Sequence, residues 1–345
     1  MKDYSINAEK TTESQQEPLL KETEVYGAHS DTSKTNLKTC FVFSNDIQKR
    51  VRNFECIFFQ FLSYGAATLT ALTLIFIIGN IAVQALPSLT FEYLLTSESE
   101  HMELGAGIAN SIVGSLFLSL GSTILATPIA VGSAIYMKRY AKKSLFTDAF
   151  SFFVDVLSGT PSIVLGIFGL FFLVFLMRSY TGGFSLISGV IALAILILPV
   201  IERSTENAID AVPKELEEAS YALGAGRYET ITKITLPYAL GGILTGVVIG
   251  VGRAAEESAV VVLTAGYSQF MPEFRIGTKP ENIFGLKVYP FQDLVGSLPM
   301  CVYRSFEFPS LVSPSKGFAA ALVLILIVMF INTVARLIVW RRRIG

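Results

Sequence analysis

The sequence predicts an all-α polytopic membrane protein with six transmembrane helices. Three observations lead to this fold class: an excess of apolar residues, six long apolar stretches, and a charged helical elbow between two of them. Hydrophobic residues make up 52% of the 345 residues and charged residues only 16%. A soluble domain has about 25% charged residues, so much of this apolar surface is expected to face lipid. The net charge of −1 argues against nucleic acid as a partner, because binding to phosphates requires a basic excess.

Six stretches are long and apolar enough to span a bilayer, whose core of about 30 Å requires roughly 20 helical residues. They cover residues 57–86, 108–137, 150–177, 184–201, 238–265 and 318–340. The polar residues 1–56 contain no apolar run typical of a signal peptide. We expect them to form a mostly disordered cytoplasmic tail, so that residues 57–345 form a single transmembrane domain.

Lysine and arginine residues beside the spans predict the orientation, because positively charged flanks stay in the cytoplasm. Such residues precede the first span, fill the loop after the second and end the chain, whereas residues 87–107 contain none. They are Lys49, Arg50, Arg52, Lys138, Arg139, Lys142, Lys143, Arg341, Arg342 and Arg343. Both termini and the loop between spans four and five are therefore expected in the cytoplasm. The long loop 266–317 is expected outside.

The loop between spans four and five, residues 213–237, has the pattern of two short helices that meet at an angle. Pro213 suits the start of a helix, and residues 214–223 place apolar and acidic side chains on different faces. Gly224 supplies the left-handed conformation that ends a helix. A second helix is expected to follow and to be interrupted at Pro237, where span five starts. An elbow held at both ends by membrane helices is suited to being pushed by a partner.

The spacing of the elbow resembles the E-A-A-x3-G-x9-I-x-L-P coupling loop of ABC importer permeases. The positions that match are Glu218, Ala219, Ser220 (where the pattern has alanine), Gly224, Leu236 and Pro237. In that family the loop docks onto a separate ATP-hydrolysing subunit. The resemblance therefore implies that these residues couple the chain to an ATPase.

Residues 105–341 are similar to the phosphate permeases of the PstA family. The resemblance is carried by GIANSIVGSL (107–116), TPIAVGSAIYMKRYA (127–141), DVLSGTPSIVLGIFGL (155–170), ISGVIALAILILPVIERSTENAIDAVPKELEEA (187–219) and GSLPMCVY (296–303). The G-x-P-S-I and S-L-P-x-x-x-Y patterns favour the A-type permease over its C-type partner. The resemblance implies the MetI-like, type I permease fold and a place in the bacterial inner membrane. Permeases for phosphonate, molybdate or sulfate, and the C-type partner permease, remain alternatives.

The same resemblance implies which partners the chain has. They are a homologous second permease, a dimer of ABC ATPases that binds the ATP and Mg²⁺, and an extracytoplasmic phosphate-binding protein. Inorganic phosphate would be the substrate, and membrane lipid would surround the spans. The chain itself contains no G-x-x-x-x-G-K-[ST] loop and no nucleophile–His–acid set, so we expect no cofactor, catalytic residue or metal site on it. It is predicted to be a transport subunit rather than an enzyme.

Charged residues inside the spans are candidates for the substrate path, since an ionised group at bilayer depth costs at least roughly 2.5 kcal/mol. Arg253, Glu256 and Glu257 in span five are expected to share a helix face on which they can pair. A guanidinium fork fits phosphate oxygens, but a purely structural ion pair is an equal alternative. Asp155 in span three is a further candidate. The family pattern R-A-x-G-E-T-A-P has glycine where this chain has Glu256 and proline where it has Val260.

Span two repeats a small residue at every fourth position. Such a ladder is typical of close helix packing, although its hydroxyl groups are also suited to a hydrated path. Its members are Gly107, Ser111, Ser115, Ser119, Thr123 and Thr127.

Two other classes of protein fit the sequence less well. A membrane enzyme requires a polar catalytic cluster, and none is present in the sequence. A channel or a non-ABC transporter has no need of the elbow.

Overall fold

The structure is a computed structural model that describes residues 31–100, 105–278 and 286–343. Its chain divides into two units, residues 1–76 and 77–345, and the boundary falls inside helix α1 (Asp31–Ala85). The described part of the first unit is helical. Residues 31–56 contain no glycine or proline that would interrupt a helix, and the mostly disordered tail expected over residues 1–56 stays a prediction. Residues 1–30 of that expected tail lie outside the described residues.

The second unit is mainly helical. Its further helices are α2 (Phe91–Leu95), α3 (Ala109–Ile135), α4 (Leu145–Gly159), α5 (Ser162–Gly169), α6 (Arg178–Thr181), α7 (Leu186–Asp210), α8 (Lys214–Ala222), α9 (Arg227–Thr230), α10 (Leu236–Glu256), α11 (Ala259–Thr264), α12 (Leu298–Glu307) and α13 (Pro314–Arg343). Turns of π-helix follow α3, α5 and α9 over Tyr136–Tyr140, Leu170–Leu176 and Ile231–Thr235. Strands β1 (Ile276–Thr278) and β2 (Leu286–Val288) pair antiparallel.

Among the described residues, five continuous helical segments are long and apolar enough to cross a membrane. They confirm five of the six predicted spans, with ends that differ from the predicted ones by up to eleven residues at the start of the fifth. The segments are Cys56–Ala85, Ala109–Tyr140, Leu186–Asp210, Arg227–Glu256 and Pro314–Val334. The all-α polytopic fold predicted from the apolar stretches is confirmed.

The third predicted span is a bent pair of helices. Leu145–Gly159 and Ser162–Leu176 meet at an angle of 104°, so the prediction of one straight helix over 150–177 is wrong. The residue before a proline is biased away from helical backbone. Thr160, which precedes Pro161, is accordingly extended with a ψ of 130°.

The fifth predicted span ends early. α10 stops at Glu256, and Glu257 has an extended backbone with a ψ of 123° before α11 starts. The Glu257 carboxylate accepts a hydrogen bond from the Ala259 N–H at 3.2 Å, and thereby satisfies a backbone donor at the start of α11. The prediction of one continuous helix over 238–265 is therefore wrong.

Pro237 does not interrupt the helix that leads into span five, contrary to the prediction. The helical segment runs from Arg227 to Glu256 without a break. A π-helical turn precedes the proline, and within it the Leu236 N–H donates to the carbonyl of Ile231. This wider turn accommodates the proline ring, which in a regular α-helix would clash with a preceding carbonyl.

The core lies where α3, α7 and α10 pack together. Leu193, Ile197 and Ile201 of α7 are fully buried at its centre. Glycines of α10 let its backbone approach α7 closely: a Cβ atom at Gly246 would lie 2.4 Å from the Cβ of Ser204. Small residues at such contacts are typical of membrane helices that pack tightly.

The small-residue ladder of α3 packs against the segment that leads into α12, which supports packing as its role. The Ser115 hydroxyl accepts a hydrogen bond from the Leu298 N–H at 2.8 Å, and Ser111 Oγ lies 3.0 Å from Cys301 Sγ. Farther along α3, the Thr123 hydroxyl donates to the carbonyl of Ser119 in its own helix. The serine hydroxyls at this end of α3 are thus engaged by the protein.

Candidate functional site

The elbow between α7 and α10 has the predicted geometry in its first half. Pro213 precedes α8 (Lys214–Ala222), and its ψ of 129° places it just outside the helix. Gly224 has a φ of +85°, which confirms the predicted left-handed residue after the helix. Such a conformation costs a residue with a side chain about 1–2 kcal/mol, so the sequence fixes the turn of the elbow at this glycine.

Apolar side chains on α8 and directly after it are exposed in the part of the chain that the structure describes. Leu223 is 89% exposed, and Leu216 and Tyr221 are also exposed. Glu218 and Ala219, two of the predicted coupling residues, lie on the exposed surface of the same helix. A group of exposed apolar side chains next to a carboxylate is typical of a protein–protein contact.

The inner face of α8 is held by a charged residue from another helix. The Arg139 guanidinium donates to Glu217 Oε1 through Nε at 2.9 Å and through its second terminal nitrogen to the carbonyl of Ile209 at 3.0 Å. The Thr235 hydroxyl donates to the same Glu217 oxygen at 2.6 Å. The prediction missed this network, because Arg139 and Glu217 are 78 residues apart and only the fold brings them together.

The remaining predicted coupling residues lie on the second arm of the elbow or join its two arms. Ser220 Oγ lies 2.9 Å from Thr230 Oγ1, so a hydrogen bond connects α8 to α9. Leu236 is half-buried and Pro237 is exposed in the first turn of α10. The structure therefore gathers Glu218, Ala219, Ser220 and Gly224 at the first arm.

Arg253 and Glu256 are exposed at the end of α10. The expected pairing of Arg253 with Glu257 is not formed, because the helix ends between them. Within the described ranges no hydrogen bond or ion pair involves the Arg253 side chain. Its guanidinium therefore keeps all of its donors for a ligand or for another subunit.

Asp155 on α4 pairs with Arg203 of α7. One terminal nitrogen of Arg203 lies 2.5 Å from Asp155 Oδ1 and also donates to Ser151 Oγ at 3.0 Å. The other lies 2.6 Å from Glu206 Oε2. Sequence reasoning missed Arg203, because the predicted fourth span ended at residue 201. Two carboxylates already balance the arginine, so Asp155 serves as a structural ion-pair partner here.

The loop after α11 is fixed by a buried ion pair. Arg304 of α12 lies 3.7 Å from Glu98 Oε1, and its guanidinium stacks 4.0 Å above the Tyr267 ring. Glu98 also accepts a hydrogen bond from the Gly105 N–H at 3.0 Å. Burial raises the pKa of the Glu98 carboxyl, and Gly105 and Arg304 oppose this rise. These contacts anchor α12 to the segment before α3.

The described residues offer few groups for covalent or metal chemistry. Within them no group of three His, Cys, Asp or Glu side chains is arranged to hold a metal ion. Cys56 and Cys301 are free thiols. Burial raises the pKa of the Cys301 thiol to about 11, so it stays protonated and unreactive near neutral pH.

A comparison with protein families identifies the chain. Residues 126–344 match the family described as "Binding-protein-dependent transport system inner membrane component". The chain belongs to this family. It is therefore a multi-pass membrane subunit of a transport system and not an enzyme, as predicted.

Several relatives of the chain are named as permease proteins. The "Phosphate transport system permease protein PstA" of Yersinia pestis is 33% identical over 69% of this chain and 74% of its own length. PstA of Mycobacterium leprae is 31% identical over 88% of this chain and 93% of its own length. The "Probable ABC transporter permease protein YqgI" of Bacillus subtilis is 34% identical over 63% and 74% respectively.

Two solved structures have a similar fold. A chain of the inward-facing MetNI methionine ABC transporter aligns with a TM-score of 0.51 and 18% identity, over 68% of this chain and 95% of that chain. A chain of a bacterial alginate ABC transporter aligns with a TM-score of 0.54 and 17% identity, over 78% and 91%. These similarities confirm the predicted ABC importer permease fold.

Proposed function

We propose that the chain is the A-type permease of an ATP-driven importer of inorganic phosphate. The observation that carries the choice of substrate is the identity of 31–33% with PstA proteins over more than two thirds of the chain. Permeases for phosphonate, molybdate or sulfate are the alternatives that share the fold. The C-type partner permease is a further alternative.

The proposed complex contains a second permease of the same family, a dimer of ATPases and an extracytoplasmic phosphate-binding protein. ATP and Mg²⁺ bind to the ATPases and not to this chain. The exposed apolar side chains of Leu216 and Leu223 support this division, because a second protein would remove them from water. Glu218 on the same helix supplies a charge for orienting the partner.

The proposed orientation places both termini and the elbow in the cytoplasm of a bacterial inner membrane. The arginines and lysines before the first span, after the second and at the end of the chain support it. In this orientation α8 lies on the side where ATP is available. The loop with α12 lies outside, where a binding protein delivers its ligand.

Arg253 is the proposed contact with phosphate on the path between the two permeases. Its side chain is exposed and makes no internal ion pair within the described residues. A guanidinium offers two parallel donors to two phosphate oxygens. Glu256, exposed three residues later, is placed to balance Arg253 when no anion is bound.

Uptake of labelled phosphate tests the proposed substrate. The chain is expressed with its second permease, ATPase and binding protein in cells that lack other phosphate importers, and uptake is measured with phosphate, sulfate, molybdate and phosphonate as competitors. We expect phosphate alone to compete. Competition by another oxyanion in place of phosphate would move the chain to the corresponding alternative.

Substitution of Arg253 tests its proposed role. We expect Arg253→Gln to abolish uptake while the complex assembles and binds ATP, and Arg253→Lys to restore only part of the uptake, since an ammonium group lacks the fork. Arg336→Gln removes an exposed arginine of α13 and is the control. Exchange of Arg253 and Glu257 should not restore uptake, because the two side chains are not paired. Full recovery in that exchange would instead assign Arg253 to a structural pair.

A further inference from the structure

The network around Glu217 joins the elbow to three membrane helices. Arg139 follows α3, Ile209 lies in the last turn of α7, and Thr235 directly precedes α10. Two guanidinium nitrogens of Arg139 lie 2.9 Å from Glu217 Oε1, and Thr235 donates to the same oxygen. A movement of Glu217 therefore acts on α3 and α10 directly, and on α7 through Arg139.

The network is shielded from water. The side chains of Arg139 and Glu217 are 19% and 13% exposed, whereas those of the neighbouring pair Lys138–Asp210 are 30% and 51% exposed. Charges interact more strongly where water is excluded, and removal of one partner leaves the other without compensation. The Arg139–Glu217 contact is thus held in one geometry, as the transmission of a displacement requires.

The two adjacent glutamates of α8 face different surroundings. Glu218 is exposed, and Glu217 lies against the membrane helices. The coupling-loop pattern begins at Glu218, so the contact with an ATPase belongs to that residue. Glu217 instead contacts Arg139 and Thr235, which adjoin the helices that form the core.

We propose that Arg139, Glu217 and Thr235 are positioning residues that transmit the displacement of α8 to α3, α7 and α10. This inference rests on the proposed function, in which an ATPase moves α8. The helix moves as a body, and Glu217 draws Arg139 and Thr235 with it. The cytoplasmic ends of the three core helices then shift together, which changes the path between the two permeases.

The test separates transmission from assembly. Arg139→Gln, Glu217→Gln and Thr235→Val are each purified in the full complex and reconstituted into lipid vesicles, and inorganic phosphate is supplied with its binding protein. The amount of assembled complex, the rate of ATP hydrolysis and the phosphate imported per ATP are measured. We expect normal assembly and continued hydrolysis in all three variants. Import per ATP should fall about tenfold or more in Arg139→Gln and Glu217→Gln, which lose a buried charged partner, and by a smaller factor in Thr235→Val, which loses one hydrogen bond.

Lys138→Gln is the matched control. It breaks the Lys138–Asp210 ion pair of 2.7 Å. This pair joins the end of α3 to the end of α7, as Arg139 does, but does not contact α8. We expect import per ATP within about twofold of the wild type, since exposed pairs contribute little. Arg139→Lys keeps the charge but loses the fork, and an intermediate value is expected.

Several outcomes overturn the inference. Import per ATP within about twofold of the wild type in all three variants would do so, and so would an equal loss in Lys138→Gln. If Arg139→Gln does not assemble, the milder Glu217→Gln and Thr235→Val decide; if these also fail to assemble, the network is structural and the inference is wrong. A wild-type complex that imports no phosphate overturns the proposed function and this inference together. If the wild type and all three variants import phosphate equally well, the inference is wrong and the proposed function stands.

Discussion

At the scale of single residues, Gly224 is the position where the elbow depends most on its backbone. Its φ is +85°, and no atom of the described residues lies within 4 Å of the place that a Cβ would occupy. A larger residue would therefore suffer from its conformation and not from a clash. Gly226, two residues later, has a φ of −77° and equally free surroundings. The two glycines form a natural pair for comparison.

We predict that Gly224→Val abolishes phosphate uptake and leaves membrane insertion intact. A β-branched residue resists the left-handed conformation by about 1–2 kcal/mol, so the angle between α8 and α9 would change. Gly226→Val places the same side chain in extended backbone, where valine fits, and should keep most of the uptake. Uptake and co-purification of the ATPase are measured for both. Normal values for Gly224→Val would remove the elbow from the coupling mechanism.

Glu98 gives a prediction for the dependence of stability on pH. Burial raises the pKa of Glu98 above its usual value, so the folded protein binds this proton more tightly than the unfolded chain. The contribution to stability is complete below the unfolded pKa, about 4.3, and is lost as the pH rises through the folded pKa. We therefore expect wild-type protein in detergent to lose stability relative to Glu98→Gln as the pH rises above about 4.3.

Thermal unfolding of both proteins across this pH range is the measurement. Glu92→Gln, which removes an exposed glutamate of α2, controls for the loss of one negative charge. If the unfolding temperatures of wild type and Glu98→Gln change with pH in parallel, the Glu98 carboxyl ionises at the same pH in the folded and the unfolded protein. The raised pKa would then be wrong.

At the scale of elements, the contact between α3 and the segment before α12 is close enough to exclude a methyl group. A Cβ atom at Gly114 would lie 2.0 Å from the Gly296 carbonyl oxygen and 2.4 Å from Val295 Cγ1. At Gly132 of the same helix, nothing in the part of the chain that the structure describes lies within 4 Å of the corresponding position. The two glycines therefore have different reasons to be present.

We predict that Gly114→Ala destabilises the protein by about 1–3 kcal/mol or more, since it forces two backbones apart. Gly132→Ala should be neutral or stabilising by up to about 1 kcal/mol, because alanine favours helix over glycine. The midpoint of thermal unfolding in detergent is measured for both. Equal midpoints would contradict the close packing of α3 at Gly114 against the segment before α12.

Elements were predictable from the sequence where the signal is local. The apolar length of a span, the acidic and apolar faces of α8 and the glycine that ends it all lie within a few residues. The ends of spans were less predictable, because Pro161 signals a break without its angle and Pro237 signals a break that a π-helical turn prevents. The early end of α10 at Glu256 has no such punctuation, and valines follow shortly after it.

At the scale of the whole molecule, what the sequence did not predict is contact between distant segments. Arg139 belongs to the basic residues that predict the orientation, and Glu217 lies in the amphipathic stretch 214–223, yet nothing local indicates that they meet. The same holds for Asp155 and Arg203, which are 48 residues apart, and for Glu98 and Arg304. Charged side chains near membrane helices are costly alone, so the fold pairs them across elements.

The bend between α4 and α5 decides on which side of the membrane the chain ends. An odd number of crossings leaves the two ends of a chain on opposite faces, and an even number leaves them on the same face. The residues that the structure describes include five continuous helices of sufficient length, an odd number, and the basic residues at both ends predict a shared face. That prediction requires the bent pair to complete a crossing. Single cysteines at Lys142 and Tyr180, on either side of the pair, should then react with an impermeant label from opposite faces; labelling from one face would turn the pair into a re-entrant hairpin and carry the C-terminus across the bilayer.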